Sequence, residues 1–303
     1  MTKKWVLITG VSGFIGFRLA KELISSGVNV LGVDIRETQN SSNFQNIGGV
    51  FFNNRDRNFP RNLIEDYQIR TIYHLGAIKR HEENLPFDYL FENNVAETRY
   101  WAKVAKDYDC RIVFTSSLYV YGNYKEYSRE SDALNPRTIY GSTKALAEIE
   151  LITQINVNEL NCGIARLYFV VGESNDFGVY SNVIHKFIEQ GKRGEPISVY
   201  GTGSAIMNYV WISDVTKSLI SIGNSNLRDT FNVGNMFNFT ILEIGELISK
   251  KFGVDIEHLE KDWTEGIARI GNIEKAQFLL GISNRMSLEE MVDKILESQE
   301  ELL

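Results

Sequence analysis

The feature that most constrains the fold is residues 6–23, VLITGVSGFIGFRLAKEL, where an apolar run, a glycine-rich turn and an amphipathic segment follow one another directly. Gly10, Gly13 and Gly16 have the spacing G-x-x-G-x-x-G. Glycine permits a tight turn and close packing of a helix on a strand. It also lets backbone N–H groups approach a pyrophosphate at the positive end of that helix. The segment therefore predicts a strand–turn–helix unit that binds a dinucleotide.

An acidic residue ends the next apolar run and supports this prediction. Asp34 lies eighteen residues beyond Gly16, where a carboxylate can accept both hydroxyls of an adenosine ribose and would repel a 2′-phosphate. This favours NAD over NADP, although Arg36 is a basic side chain that a 2′-phosphate would prefer. The cofactor contacts predicted in this part of the chain are Gly10, Gly13, Phe14, Ile15, Gly16, Asp34, Ile35 and Arg36.

The first half of the chain alternates short apolar runs with longer amphipathic segments, which is typical of a parallel sheet with helices on both faces. The predicted strands are WVLIT (5–9), VNVLGV (28–33), VFF (50–52), TIYHL (71–75), RIVFTS (111–116) and CGIARLYFVV (162–171). Helices are predicted near 14–26, 60–67, 87–107 and 140–158.

The pattern changes after about residue 172, where glycine-containing turns separate shorter elements. Two capping boxes, Thr240 with Glu243 and Ser287 with Glu290, predict two helix starts. We therefore expect an α/β fold, with a Rossmann-type doubly wound parallel sheet in residues 1–172. Residues 173–303 should form a smaller C-terminal α+β substrate domain, of which a strand and a helix can pack back on the sheet.

Composition excludes several classes of partner. The 303 residues carry a net charge of −7 without a long Lys/Arg run, which disfavours a nucleic-acid or anionic-membrane surface. Cys110 and Cys162 lie far apart and are predicted to be buried, reduced thiols. The four histidines lack metal-ligand spacing, so no metal site is predicted. No apolar run suits a secretory signal or a membrane span, and we expect a cytoplasmic protein.

The segment YGSTK (140–144) provides candidate catalytic groups. Tyr140 and Lys144 are four residues apart in a helix-forming stretch, so both side chains lie on one helix face. An ammonium there can stabilise a phenolate that accepts a proton from a hydroxyl, although such a pair alone is also typical of a solvated helix face. Ser116 and Ser117 end a predicted strand, where open α/β sheets place ligand-binding groups. Together these residues predict hydride-transfer chemistry.

With these motifs the chain resembles an extended short-chain dehydrogenase/reductase of the NAD-dependent sugar epimerase/dehydratase family. The resemblance covers nearly the whole length. Besides Asp34, the matching segments are TGVSGFIG (9–16), HLGA (74–77), NNVAET (93–98), SSLYVYG (116–122), PRTIYGSTKALAE (136–148), RLYFVVG (166–172), GEPISVYGTGS (194–204), WISDV (211–215) and FNVG (231–234).

The resemblance implies roles for individual residues. Ser117, directly before LYVYG, corresponds to the catalytic serine, Tyr140 to the acid/base, and Lys144 to the lysine that also holds the nicotinamide ribose. Asp56 resembles the residue that reads adenine. Further cofactor contacts implied by the resemblance are Arg57, Leu75, Gly76, Ala77, Lys79 and Asn94. For Lys79 a solvated loop position is the alternative, and for Asn94 a role in pinning a helix to the sheet.

Three departures from the family pattern concern the substrate. Family dehydratases carry acidic residues where this chain has Leu118 and Tyr119, which disfavours 4,6-dehydration. Phe169 replaces an asparagine, and Met207 replaces an arginine that clamps the diphosphate. Lys186, Lys192, Arg193 and Arg269 are candidate replacements for the clamp. The expected substrate contacts are Ser117, Tyr119, Phe169, Lys192, Met207 and Arg269.

The resemblance implies NAD-dependent hydride transfer at C4 of a nucleotide-activated sugar, by an epimerase or by a 4-dehydrogenase or ketoreductase. The alternative is an NAD-binding sensor or partner-binding protein with a degenerate sugar site. The resemblance also implies a homodimer through a four-helix bundle built from the helices near 87–107 and 140–158.

Overall fold

The computed structural model describes residues 4–79, 85–122, 127–173, 182–260 and 266–300. The strands in these ranges are β1 (Trp5–Thr9), β2 (Asn29–Asp34), β3 (Val50–Asn53), β4 (Thr71–His74), β5 (Arg111–Ser117), β6 (Tyr127–Ser128), β7 (Cys162–Leu167), β8 (Phe169–Val171), β9 (Ile197–Tyr200), β10 (Ile206–Met207), β11 (Tyr209–Trp211), β12 (Thr230–Val233), β13 (Phe239–Thr240), β14 (Ile256–Leu259) and β15 (Ala268–Gly271).

The helices in the same ranges are α1 (Phe14–Ser25), α2 (Gln39–Asn46), α3 (Asn62–Asp66), α4 (Phe87–Phe91), α5 (Glu97–Asp107), α6 (Ile139–Asn158), α7 (Val183–Lys192), α8 (Ile212–Asn224), α9 (Ile241–Phe252), α10 (Glu274–Leu280) and α11 (Leu288–Glu300). A π-helical turn, Glu92–Ala96, joins α4 to α5, so the predicted helix near 87–107 is continuous. Leu118–Val120 forms a 3₁₀ turn directly after β5.

Seven strands form the central sheet, in the order β12-β7-β5-β4-β1-β2-β3. Every neighbouring pair is parallel. All seven residues of β5 are buried, as expected for a strand covered on both faces. The predicted Rossmann-type α/β class is therefore confirmed.

Apolar side chains cover the two faces of this sheet in separate clusters. One cluster joins the sheet to α1 and α8 through residues such as Leu19 and Leu219. The other joins it to α5 and α6 through residues such as Trp101 and Leu151. A third cluster packs α7, α9 and α11 on one another beside the sheet. Strand β12 and helix α8 pack with the central sheet although they come from the C-terminal part of the chain. The division into two domains at residue 172 stays a proposal.

The prediction of one strand over residues 162–171 is wrong. The strand is interrupted at Tyr168, and two separate strands result. β7 stays in the central sheet, whereas β8 pairs with β11. At the break the backbone changes partners, because Tyr168 N donates to Val233 O and Phe169 N donates to Asn208 O, each at 3.1 Å. The sequence of residues 162–171 gives no sign of this change of pairing partner, because apolar residues lie on both sides of Tyr168.

Helix α2 was not predicted, because QNSSNFQN is polar and lacks an apolar period. A capping box starts this helix: Thr38 Oγ1 accepts from the helix backbone, and Ser41 Oγ accepts from Thr38 N at 2.9 Å. The buried apolar side chain of Phe44 anchors it to the core. Both predicted capping boxes are confirmed, since Glu243 N donates to Thr240 Oγ1 at 3.0 Å and Glu290 N donates to Ser287 Oγ at 3.2 Å.

The prediction that both cysteines are buried is confirmed. Cys110 and Cys162 are buried, unpaired thiols, and burial raises their pKa values to about 11 and about 12. Within the described residues no cluster of side chains could hold a metal ion, although His81 lies outside them. None of the described helices has the length and hydropathy needed to cross a membrane.

Candidate active site

A first cavity of about 610 Å³ lies at the carboxyl ends of β1, β2 and β4. The glycine-rich turn forms one wall. Gly10 has a φ of 72°, and a Cβ there would lie 2.7 Å from Gly76 N, so a side chain is excluded at this position. Helix α1 begins beside the cavity with neither a side-chain cap hydrogen bond nor an acidic residue in its first turn, and the amino end of a helix favours an anion.

Asp34 lies at the end of β2 on the same cavity. Its carboxylate accepts from Ser12 N at 3.0 Å and from Arg36 N at 3.2 Å, which fixes the side chain beside the glycine turn. The cavity lining includes eleven of the predicted cofactor contacts, namely Gly10, Gly13, Phe14, Ile15, Gly16, Asp34, Ile35, Arg36, Leu75, Gly76 and Ala77.

The adenine contact predicted at Asp56 is not supported. Asp56 and Arg57 are exposed and lie outside the lining of the cavity, and Arg57 pairs with Glu97 at 3.3 Å. Asn54 lines the cavity instead, is 3% exposed, and has a side-chain Oδ1 with no hydrogen-bond partner among the described residues. A buried oxygen without a donor fits the exocyclic amine of an adenine. The sequence contained a signal for this residue. Asn54 directly follows the third strand, much as Asp34 ends the second, and both positions lie at the same edge of the sheet.

Asn94 does not line either cavity, so the predicted cofactor contact of this residue stays a prediction. It is fully buried, its Nδ2 donates to Ile78 O and to Thr143 Oγ1, both at 3.0 Å, and its Oδ1 accepts from Ile78 N at 2.7 Å. Asn94 therefore ties the loop after β4 to α6. His74 is a buried core residue, with Nδ1 2.7 Å from Thr9 Oγ1 and Nε2 3.0 Å from Thr98 Oγ1. Burial lowers its pKa to about 3.

A second cavity, also of about 610 Å³, shares lining residues Ile15, Leu75, Ala77 and Thr115 with the first. Ser117 reaches it from the end of β5, and Tyr140 and Lys144 reach it from α6. The three predicted catalytic residues therefore line one cavity beside the dinucleotide site. Lys79 lines this second cavity rather than the first.

Helix α6 is positioned by close backbone contacts. Thr138 caps it by accepting from Gly141 N at 3.0 Å, and a Cβ on Gly141 would lie 2.5 Å from Tyr119 O. The glycine inside YGSTK thus allows the first turn of α6 to pack directly on the turn that follows Ser117. Sequence reasoning found the tyrosine and the lysine but not this reason for the glycine.

Lys144 is buried, and its environment is built from β5 and from its own helix, α6. Its Nζ donates to Thr115 O at 2.8 Å, and it lies 4.6 Å from the ring centroid of Phe114 and 6.0 Å from that of Tyr140. Burial lowers the pKa of Lys144 to about 7, and the carboxylate of Glu148 acts against this by raising it. An ammonium that is easily deprotonated therefore lies next to the proposed acid/base.

Glu148 is held one turn further along α6. Its carboxylate pairs with the Arg166 guanidinium at 2.6 Å, and both side chains are almost fully buried. Arg166 Nη1 also donates to Tyr121 Oη at 2.7 Å. This buried pair ties α6 to β7 and to the turn after β5, so it fixes the helix that carries Tyr140 and Lys144.

Four of the predicted substrate residues, besides Ser117, line the second cavity: Tyr119, Phe169, Met207 and Arg269. Lys186 lines it as well. Lys192 and Arg193 do not line it, so the structure gives no support to their prediction as diphosphate ligands. They lie at the exposed carboxyl end of α7, where Lys192 Nζ donates to Gln299 Oε1 and Arg193 approaches Glu189. No Asp or Glu occurs among the described residues that line this cavity.

Aromatic side chains form much of the wall near Tyr140. The Tyr119 ring meets the Tyr140 ring edge-on at 6.2 Å and the Phe169 ring edge-on at 6.3 Å. Tyr209 lies 5.6 Å from Phe169. The Arg269 guanidinium lies over two of these rings, 5.5 Å from the centroid of Tyr119 and 5.8 Å from that of Phe169.

Two kinds of comparison place the chain among known proteins. UDP-glucuronic acid decarboxylase 1 of Danio rerio is 29% identical over 315 residues, covering 97% of this chain and 72% of the relative. UDP-glucuronate 4-epimerase of Thermodesulfobacterium geofontis is 25% identical over 311 residues, covering 94% and 93%. The crystal structure of UDP-glucuronic acid 4-epimerase from Bacillus cereus with UDP-glucuronic acid and NAD has a TM-score of 0.84 at 22% identity, covering 99% of this chain and 100% of that one.

The family model gives the broader assignment. Residues 6–234 match the model of the NAD dependent epimerase/dehydratase family. The matched region spans the glycine turn, the predicted catalytic residues Ser117, Tyr140 and Lys144, and the elements that carry them. On the strength of that match and of the two cavities, this chain belongs to the NAD dependent epimerase/dehydratase family, whose cofactor is NAD.

Proposed function

We propose that this protein is a 4-epimerase of a UDP-activated sugar. In this reaction the C4 hydroxyl is oxidised to a ketone. The keto sugar then rotates in the cavity, and C4 is reduced from the opposite face. The proposal rests chiefly on one observation. The catalytic cavity contains Ser117, Tyr140 and Lys144, which suffice for redox chemistry at one carbon, and no carboxylate among its described lining residues.

In the proposed reaction Tyr140 removes the proton from the C4 hydroxyl and later returns it to the ketone oxygen. Ser117 donates a hydrogen bond to the same oxygen and fixes its position. Lys144 stabilises the Tyr140 phenolate by its positive charge. Bound NAD would accept the hydride from C4 and give it back.

The cofactor fits the first cavity by two observations. The amino end of α1, which has no side-chain cap hydrogen bond, borders the cavity and favours a pyrophosphate, and the buried Asn54 Oδ1 lacks a partner among the described residues. Asp34, already fixed by two backbone donors, would accept the ribose hydroxyls. These residues would hold NAD with its reactive end toward the second cavity.

Dehydration and decarboxylation both require a proton transfer at C5 in addition to redox at C4. The relatives named as decarboxylases keep decarboxylation as a second candidate. Leu118 and Tyr119, which follow the proposed catalytic serine, provide neither a carboxylic acid nor a carboxylate for such a step. Epimerisation needs no such group and is therefore favoured.

The test is to incubate the protein with NAD and with UDP-glucose, UDP-galactose, UDP-glucuronate or UDP-galacturonate. The sugar is followed by NMR and the cofactor by absorbance at 340 nm. A C4-inverted sugar without lasting absorbance supports the proposal. Accumulating NADH would instead identify a dehydrogenase, and a UDP-pentose with CO₂ a decarboxylase.

A Tyr140→Phe variant separates the enzyme from an NAD-binding sensor. The variant should lose turnover of every sugar and retain NAD binding, because it lacks only the proton-transferring hydroxyl. A protein with no turnover before or after the substitution would contradict the enzymatic proposal. GDP- and dTDP-sugars serve as the comparison for the nucleotide.

A further inference from the structure

The Arg269 guanidinium in the catalytic cavity has five N–H donors and no ion pair or hydrogen bond from them to any described residue. The side chain is half-buried. A partly buried guanidinium with unused donors is well suited to pair with an anion that can accept from them. The arrangement therefore points to a ligand that carries a negative charge.

Tyr119 and Phe169 fix this side chain without using its donors. The guanidinium lies 5.5 Å from one ring centroid and 5.8 Å from the other, both within the range of cation–π attraction. Ring faces attract the cation but accept none of its in-plane hydrogen bonds. These two rings, here called the aromatic clamp, thus position Arg269. They leave the in-plane N–H groups of its guanidinium open to a bidentate partner such as a carboxylate.

The position of the clamp indicates which part of the substrate it meets. The Tyr119 ring also contacts the Tyr140 ring edge-on at 6.2 Å, so a single aromatic ring separates the guanidinium from the proposed acid/base. Lys186 belongs to a different part of the lining, on α7, where it lies 5.4 Å from the ring centroid of Tyr200. Arg269 is therefore placed with the sugar, and Lys186 remains for the nucleotide diphosphate.

We propose that Tyr119 and Phe169 are positioning residues that hold Arg269 as the carboxylate ligand of the sugar site, so that the substrate is a nucleotide-activated uronic acid. This inference rests on the proposed function and names its substrate class. The described lining residues include no carboxylate, and this supports the proposal, because an acidic side chain would repel the uronate. Two positions where the chain departs from the family pattern, Tyr119 and Phe169, thereby gain one shared role.

The test uses binding to the NAD-loaded Tyr140→Phe protein, which cannot turn the ligands over. Calorimetry with UDP, UDP-glucose and UDP-glucuronate separates the contributions of the nucleotide, the neutral sugar and the carboxylate. We expect UDP-glucuronate to bind at least about tenfold more tightly than UDP-glucose. Arg269→Gln should weaken UDP-glucuronate by about 100-fold and change the other two by less than about threefold.

The clamp is tested by Tyr119→Leu and Phe169→Leu, each expected to remove about tenfold of the preference for UDP-glucuronate. Tyr119→Phe keeps the ring and should restore most of that preference. Lys192→Gln is the control, because this exposed cation lies outside the cavity. Unchanged NAD affinity in the Leu variants excludes a general loss of structure.

Each remaining outcome decides against one of the proposals. If Arg269→Gln weakens all three ligands equally, the residue binds the diphosphate and the uronate proposal is wrong. If UDP-glucose binds as tightly as UDP-glucuronate and is epimerised, the proposed function stands and the substrate class is wrong. If no UDP ligand binds or reacts, the proposed function fails and the inference fails with it.

Discussion

Met207 and Arg269 are paired residues of the neighbouring parallel strands β10 and β15. Side chains at paired positions project to the same face of a sheet, about 5 Å apart. Position 207 is the one at which the family resemblance leads us to expect a diphosphate-binding arginine, and here it is a buried methionine. Arg269 therefore lies on the strand beside the expected diphosphate position, although we assign its guanidinium to the sugar carboxylate and Lys186 to the diphosphate.

Replacing Met207 with arginine tests whether a second cation, beside Arg269, can bind the diphosphate of the nucleotide. We expect Met207→Arg to tighten UDP binding about fivefold to tenfold through a hydrogen-bonded diphosphate, while burial and crowding lower the free energy of unfolding by about 1–3 kcal/mol. Calorimetry with UDP and thermal unfolding measure the two effects. Met207→Leu, which conserves volume, is the control. Unchanged UDP affinity in the arginine variant would place the diphosphate elsewhere.

The pH dependence of turnover should report on Glu148. Its carboxylate raises the pKa of the buried Lys144, so Glu148→Gln should lower that pKa further below about 7. Lys144 then loses its proton at a lower pH, and the alkaline limb of kcat against pH moves in the acid direction. Glu150→Gln is the matched control, because Glu150 pairs with Arg99 on the exposed side of α6. An alkaline limb that stays in place would show that Lys144 does not need its charge.

The same substitution should lower stability, because it leaves Arg166 buried without its charged partner. Breaking a buried pair in this way costs about 3–5 kcal/mol, less if the amide keeps one hydrogen bond. Chemical unfolding of Glu148→Gln and Glu150→Gln gives the comparison. Equal losses in the two variants would contradict the importance of the buried pair.

Asn54 should determine part of the affinity for NAD. Asn54→Leu removes the buried Oδ1 acceptor and should weaken NAD by about tenfold, or about 1.4 kcal/mol. Asn54→Asp keeps an acceptor and should weaken it less. Arg57→Gln, outside the cavity, is the control. NAD affinity is measured by titration of the cofactor-free proteins. If Asn54→Leu and Arg57→Gln weaken it equally, Asn54 is not the specific adenine contact.

The proposed dimer can be tested on α6. Ile149 and Val157 are 53% and 72% exposed on this helix, so a four-helix bundle would cover apolar side chains that are otherwise in water. Sedimentation should find a dimer that becomes a monomer when both residues are replaced with glutamate. Phe278→Glu, at an 89% exposed position on α10, should leave the dimer intact. A monomeric wild-type protein would refute the proposal.

The sequence alone determined those features whose parts are close together along the chain. The glycine turn, Asp34 at the end of its strand, and the Tyr140–Lys144 spacing each follow from local backbone geometry, so periodicity and spacing predicted them correctly. The parallel sheet was predictable for the same reason, because each strand–helix unit can be recognised separately.

Contacts between distant segments were decided only by the tertiary structure. Arg269, on β15, lies over the ring of Tyr119, which belongs to the turn after β5. Asn54 is buried directly after β3, whereas Asp56 lies two residues further on and is exposed. The chain leaves the central sheet at Tyr168 although its apolar run continues. Lys192 resembled a ligand in the sequence, but α7 directs its end away from the cavity. Residue type predicts a side chain's chemistry, whereas its neighbours depend on how the whole chain packs.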